Sequence, residues 1–301
     1  MELWIPITIA AAFSQNLRFM LQKHLKSTGL STAGATFSRF LYAAPLAAAL
    51  MAFYLSQSGA TMPTSSPRFW LYVCTGGMSQ ILATMLVVAL FAQRNFAVGI
   101  TFKKTEVIQT AMFGLLILGE GISANGLFAI LVGLVGVIVL ADPPQSNGLR
   151  WHQRIFNRAS AFGLGAGALF GFSGIAYRGA SLALGDSGFF LRAVFTLMCV
   201  TTVQTLSMAL YLRFFEPGEI SRVARNWRIT SLVGLSGMLG SLGWFTAFTL
   251  QNAAYVKALG QVELVFTFLA SYFIFKERST PREIIGIVLV IVSILLLVLV
   301  L

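Results

Sequence analysis

Apolar residues run along this chain in blocks of about 20, the length a helix needs to cross the hydrocarbon core of a bilayer. Five such blocks cover Trp4–Met20, Ser31–Tyr54, Phe69–Phe91, Val98–Gly119 and Ser123–Ala141; five more cover Ser160–Ala183, Ser187–Arg213, Ile229–Leu250, Ala254–Phe275 and Glu283–Leu301. The pattern predicts an all-α membrane protein with ten transmembrane helices. One connector differs in kind from the rest, Asp142-Pro-Pro-Gln-Ser-Asn-Gly148 followed by Arg150, Arg154 and Arg158. Paired prolines stop a helix and the polar run cannot sit in lipid. A linker over 142–159 therefore separates a first five-helix unit, 1–141, from a second, 160–301.

The two units read as copies. Leu118-Gly-Glu120 closes the fourth block and Phe275-Lys-Glu277 closes the ninth, and the same offset of 157 residues relates Glu106 to Glu263 and Thr110 to Thr267. Ser38-Arg39 answers to Leu191-Arg192, and Gly77-Met78 to Gly237-Met238, with small shifts absorbed in the loops. Because five is odd, the second copy enters the membrane from the opposite side. Two inverted five-helix repeats are the arrangement in which transporters place a binding site near the midplane.

Composition agrees: 57% of residues are hydrophobic and 10% charged, against about 25% charged in an ordinary soluble domain. Mean hydropathy is +0.81. The net charge of +11 resides mostly in connectors on one side, at Lys23 and Lys26, Arg94, the 150–158 arginines, Arg213 to Arg228, and Lys276 to Arg282; Arg68 stands on the other. The imbalance orients the basic side to the cytoplasm and both termini away from it. It points to anionic headgroups as the partner of these residues, not to nucleic acid. Met1-Glu-Leu-Trp4 lacks the basic start of a cleaved signal, so the first block is expected to be retained. Cys74 and Cys199 lie in apolar runs, and His24 and His152 in polar connectors. Nothing forms a nucleophilic, metal-ligating or phosphate-cradling set, so neither an enzyme nor a cofactor is expected.

Chemistry is concentrated at Thr101–Thr110, where Lys103, Lys104 and Glu106 fall inside a membrane-spanning block. A charge near the bilayer centre costs at least about 2.5–3.5 kcal/mol and calls for a partner. Arg39 and Glu106 each lie about eight residues, roughly 12 Å, into their blocks from one side. Arg192 and Glu263 are level by the same count. The expectation is that Arg39 pairs with Glu106 and Arg192 with Glu263, either as scaffold pairs or as a gate or proton-coupled site. Lys103 lies one turn from Glu106 on the same face. Lys104 and Lys257 are expected to reach the interface, and with Lys103, Arg18 and Arg178 they leave an excess of positive charge. Lys103 and Lys104 have no counterparts in the second copy, where Gly260 and Gln261 stand. Glycines at helical spacing, Gly163/Gly167/Gly171 and Gly234/Gly237/Gly240/Gly243, mark faces of close helix approach.

Together these features resemble the drug/metabolite transporter superfamily, specifically its ten-span EamA-type branch. They are the two five-span copies, the short Gly-Glu or Lys-Glu ends of the fourth and ninth spans, the early arginines and Gly260-Gln-Val-Glu263. The resemblance implies a secondary transporter, often an exporter of amino acids, other metabolites or toxic compounds, in the bacterial inner membrane. It also implies that the third, fourth, eighth and ninth spans line the path. Phe102-Lys-Lys-Thr-Glu106 is more basic than in generic members, which argues against a cationic drug. The expected cargo is a zwitterionic or anionic small metabolite, carried by rocking of the halves, with coupling to protons as one route. A passive facilitator and a drug-type cation exporter are the alternatives. Glu106 and Glu263 are the candidate substrate or coupling groups, Arg39 and Arg192 their partners, and Lys103 an anion contact. Thr110, Thr267, Asn16, Gln80, Gln109, Tyr177, Trp244 and Tyr255 are candidate cavity residues. The other partner expected is lipid, and a monomer is expected over an obligate oligomer.

Overall fold

A computed structural model describes residues 2–27, 29–90, 102–140, 158–273 and 281–300. Among these residues every regular element is helical. In the first half, α1 is Trp4–Ser27, α2 Thr32–Ser58, α3 Pro67–Leu90, α4 Glu106–Phe113 running on through a π-helical turn Gly114–Leu118, and α5 Ala124–Leu140. In the second, α6 is Arg158–Leu182, α7 Phe189–Phe215, α8 Trp227–Leu250, α9 Val262–Phe273 and α10 Pro281–Val300, with short helices at Glu219–Arg225 and Ala253–Leu259. Five of them, α2, α3, α6, α7 and α8, are long and apolar enough to cross a membrane, and Glu106–Leu118, Ala124–Val139 and Ile284–Leu299 are shorter apolar helices.

Local chemistry sets several ends. Ser31 caps α2 by accepting from the Gly34 N–H at 2.9 Å, and Gly59 closes it in the left-handed region at φ 64°. Ser66 accepts from the Phe69 N–H at 3.2 Å, with Pro67 at the first helical position. Two expectations need correction. The first helix does not stop near Met20 but continues to Ser27, so His24 lies in a helix and not in a connector. The ninth block is not one continuous span, because it breaks at Gly260–Gln261 between the short helix Ala253–Leu259 and α9. The fourth block has a matching break, where a turn closed by the Thr105 N–H on the Phe102 carbonyl at 3.2 Å precedes the start of α4 at Glu106. Hydropathy does not register such breaks, since an irregular backbone at membrane depth is tolerated wherever protein surrounds it. Phe91, the start of the fourth block with Arg94, the linker through residue 157 with Asp142, Arg150, His152 and Arg154, the segment 274–280 with Lys276, Glu277 and Arg278, and Leu301 lie outside the described residues.

The helices pack in a definite order. α3 lies along α6 and α1 along α8; α4 crosses α6 and α9 crosses α1; α2 packs on both α7 and α8, α7 also meets α3, and α5 pairs with α10. Close approach depends on the glycine faces. A Cβ on Gly171 would stand 2.9 Å from Thr110 Oγ1 and 3.1 Å from Thr110 N, and one on Gly167 would stand 3.0 Å from the Lys103 carbonyl. On α8, a Cβ at Gly243 would meet that of Ala11 at 2.7 Å. These glycines seat α4 on α6, and α1 on α8. Arg178 in α6 is not surplus charge. Its Nε donates to both Glu120 oxygens at 2.6 and 2.8 Å, and its Nη1 to the Phe248 and Gln251 carbonyls at 2.7 Å. It thereby joins the segment after α4 to the C-terminal end of α8, whose last carbonyls would otherwise lack donors.

If α4 is held on α6 by this close approach, Gly171→Ala forces α4 away and lowers stability by about 1–3 kcal/mol. Gly188→Ala, which meets open space, leaves the melting temperature in detergent nearly unchanged. Equal melting of the two variants would show that the contact carries no packing energy.

Candidate site: a buried ionic cluster at the helix breaks

The two breaks place charged side chains where a continuous helix would have placed a fully bonded backbone. Lys103 and Lys104 lie within the turn of the first break, Lys257 precedes the second, and Glu106 and Glu263 open the helices that follow. Lys103, Lys104, Glu106 and Lys257 are all buried. Glu106 Oε2 lies 3.2 Å from Lys103 Nζ, and its Oε1 lies 3.5 Å from Lys257 Nζ. Lys104 Nζ donates to Glu263 Oε1, and Gln15 Nε2 donates to Glu263 Oε2 at 3.2 Å. Each carboxylate thus takes a cation from the other half of the chain.

This pairing replaces the expected one. Arg39 does not reach Glu106; its Nη1 and Nη2 donate to Thr84 Oγ1 at 3.1 Å and Ser241 Oγ at 3.4 Å. Arg192 does not reach Glu263, since it sits in the first turn of α7 and donates to the Gly185 carbonyl at 3.3 Å. Depth counted along a sequence gives level but not direction, and Arg39 faces α3 and α8. Lys104 and Lys257 do not reach the interface either, because Glu263 and Glu106 hold them inside the bundle.

Aromatic faces complete the surroundings of the lysines. Lys257 Nζ stands 5.1 Å from the Trp244 ring centroid, 5.6 Å from that of Phe248 and 5.7 Å from that of Phe170. Lys103 Nζ is 5.3 Å from Phe170 and 5.8 Å from Phe19. At such distances the ring faces attract an ammonium group and exclude water from it. Phe170 therefore joins both lysines, one from each half.

The remaining candidates divide. Trp244 belongs to the cluster through Lys257, and its Nε1 is buried without an acceptor. Thr110 Oγ1 donates to the Glu106 carbonyl at 2.6 Å, and Gln109 lies against Gly167. Asn16 is half-buried on α1, beside Gln15. Gln80 and Tyr177 belong to a separate knot, in which Gln204 Nε2 donates to Gln80 Oε1 at 2.9 Å and to the Tyr177 hydroxyl at 3.3 Å, while that hydroxyl donates to the Gly76 carbonyl at 3.1 Å. Tyr255 caps α5, its hydroxyl accepting from the Ser123 N–H at 3.0 Å. The side chain of Thr267 lies outside the described residues. Sequence reasoning missed Gln15, Gln204 and Phe170 and gave Lys257 the wrong neighbour. The one available signal was that three lysines stood in apolar blocks holding only two interior carboxylates.

Residues 157–299 match the EamA-like transporter family. Over its second half the chain is thus similar to EamA-like members of the drug/metabolite transporter superfamily, which are transporters and not enzymes. That match and the long apolar helices make it a multi-pass membrane protein. No curated protein matches the chain in sequence. Among solved structures, a protein crystal structure superposes with a TM-score of 0.62 at 15% identity, over 97% of this chain and 99% of its own. At that identity the likeness is one of fold.

Removing one partner of a buried ion pair costs about 3–5 kcal/mol when it strands the other. Glu106→Gln strands two lysines and Glu263→Gln one, so the first is expected to lower the melting temperature in detergent more. Adding Lys257→Met to Glu106→Gln recovers part of the loss. Additive effects in that double mutant would rule out the Glu106–Lys257 pair.

Proposed function

We propose that this EamA-like protein is a secondary transporter that exports a small zwitterionic or anionic, amino acid-like metabolite across the bacterial inner membrane. It works by alternating access of two inverted five-helix halves. The observation that carries the reading is the reciprocal pairing across the halves at the two helix breaks, Glu106 with Lys257 and Glu263 with Lys104. Ion pairs that bridge two moving bodies, at helix interruptions near mid-membrane, are what an alternating-access carrier needs at its centre. The lysines are held only as long as the halves keep their relation, so a change of state requires them to exchange partners.

Two further observations support the inverted repeat. The breaks fall at equivalent places in the two copies, just before Glu106 and just before Glu263. The packing also survives exchange of the halves: α3 on α6 becomes α8 on α1, α4 on α6 becomes α9 on α1, and the pairs α2–α7 and α5–α10 map onto themselves. On this reading the basic connectors are cytoplasmic and both termini periplasmic. Lys103, Lys104, Lys257, Arg18 and Arg39 outnumber Glu106 and Glu263 in the interior, which favours an anionic or zwitterionic cargo over a drug-type cation. The two carboxylates are the groups through which protons would couple, since each can be released from its lysine by protonation or by a substrate ammonium.

A thermal-shift screen of the purified chain against amino acids, phosphorylated metabolites and cationic drugs identifies the cargo class, because a ligand bound only to the folded state raises its stability. The stabilising compound is then followed in proteoliposomes under a pH gradient. The expected result is accumulation beyond equilibrium, abolished in Glu263→Gln while downhill exchange persists. Equilibration without accumulation would make the protein a passive facilitator, and stabilisation by cationic drugs alone would reverse the choice of cargo.

A further inference from the structure

Two interior arginines have no carboxylate partner among the described residues. Arg18 on α1 and Arg39 on α2 are exposed by only 2% and 4%. They lie against the same point of α8: a Cβ on Gly237 would stand 3.1 Å from Arg39 Cγ and 3.2 Å from Arg18 Cδ. Arg18 Nη1 donates to Gln22 Oε1 at 3.0 Å, and Gln22 in turn donates to the Ala35 carbonyl. Arg39 donates to the hydroxyls of Thr84 and Ser241. The carboxylates that might neutralise them are engaged elsewhere. Glu106 and Glu263 are held by lysines, Glu120 by Arg178, and Glu216 and Glu219 by Ser31.

Like charges buried side by side repel, and neither is offset by the neutral oxygens it touches. The donors are also not used up. Arg18 Nη2 and Arg39 Nε are buried with no acceptor, and so is Trp244 Nε1. Gly237, Ser241 and Trp244 follow one another at helical spacing on a single face of α8, so the unfilled donors lie along one stripe that leads towards Lys257. A stripe rich in buried, positively charged donors lacks a ligand made of acceptors and negative charge.

We propose that Arg18 and Arg39, across Gly237, form an oxyanion subsite that takes the carboxylate or phosphate group of the transported molecule. Thr84 and Ser241 position the Arg39 fork, and Gln22 positions Arg18. Guanidinium forks match the planar or tetrahedral oxygens of such groups in a way that an ammonium point charge does not. The inference deepens the transporter reading and rests on it. It moves the anion contact from Lys103, which Glu106 already occupies, to the arginine pair. With the oxyanion bound at the arginines, the Glu106–Lys257 pair stands beside the rest of the molecule.

The test measures melting temperature of the full chain in neutral detergent at constant ionic strength, with sodium phosphate or sodium acetate as probe against sodium chloride. A saturable stabilisation by at least one oxyanion is expected in the wild type. Arg18→Gln and Arg39→Gln each weaken its apparent affinity by about tenfold to a hundredfold, the effect of losing a charged hydrogen bond. Both variants melt no lower than wild type without ligand, because an unneutralised buried charge has been removed. Arg39→Lys retains part of the effect. Gly237→Ala, which keeps both charges but crowds both stems, also weakens binding. Oxyanion stabilisation no greater than that of chloride, or equal in wild type and both glutamine variants, overturns the proposal. So does saturation by phosphatidylglycerol in mixed micelles but not by phosphate or acetate, which would make the pair a lipid site. If the glutamine variants melt far lower, the arginines are structural, and unchanged affinity in Gly237→Ala then overturns the subsite. Transport that persists with arginine-independent binding sinks the subsite alone. Oxyanion binding without any transport sinks the carrier reading and leaves the subsite standing.

Discussion

An ionised side chain inside a membrane bundle is costly unless an opposite charge or a set of hydrogen bonds meets it, because lipid can supply neither. That constraint organises the centre of this protein. Glu106 and Glu263 each sit at the start of a helix that follows a break, where the first N–H groups have no intrahelical acceptor and favour a negative charge nearby. The breaks therefore do two things together. They make carboxylates tolerable at depth, and they turn the lysines within or just before them, Lys103, Lys104 and Lys257, back towards those carboxylates.

From this centre the fold can be followed outwards. The cluster is possible only if α4 reaches α6 and α9 reaches α1 closely enough for side chains on broken helices to meet, and the glycine face of α6 provides the first of these approaches, at Gly167 and Gly171. Phe170, between those two glycines, then meets Lys103 and Lys257 at once. The Arg178–Glu120 pair fixes one end of the same assembly, binding the segment after α4 to the end of α8. The family match is to membrane transporters, and the ionic cluster lies inside this helical bundle.

What the cluster leaves over is as informative as what it pairs. Three lysines and two carboxylates nearly balance, whereas Arg18 and Arg39 have no carboxylate partner among the described residues. A structural role alone would be served better by apolar residues of similar volume, since buried ions seldom improve stability. On the proposal above, their charge is kept for an anion that comes and goes.

The sequence by itself determined the class of the chain, a helical membrane protein. Apolar blocks of membrane length, the proline-rich linker and the 157-residue offset between Glu106 and Glu263 are one-dimensional properties, and hydrophobic burial in lipid leaves a helix few choices. It also drew attention to Lys103, Glu106, Glu263 and Arg39, because charge in an apolar block is conspicuous. Tertiary structure alone decided who meets whom. Arg39 and Glu106 count to the same place in their blocks, yet Arg39 turns towards Thr84 and Ser241, and a count along the chain carries no record of rotation about the helix axis. The breaks before Glu106 and at Gly260–Gln261 were equally illegible, because hydropathy records the composition of a span and not whether its backbone stays helical. Those breaks let Lys104 and Lys257 reach across to the opposite halves, which no count along one chain could have revealed.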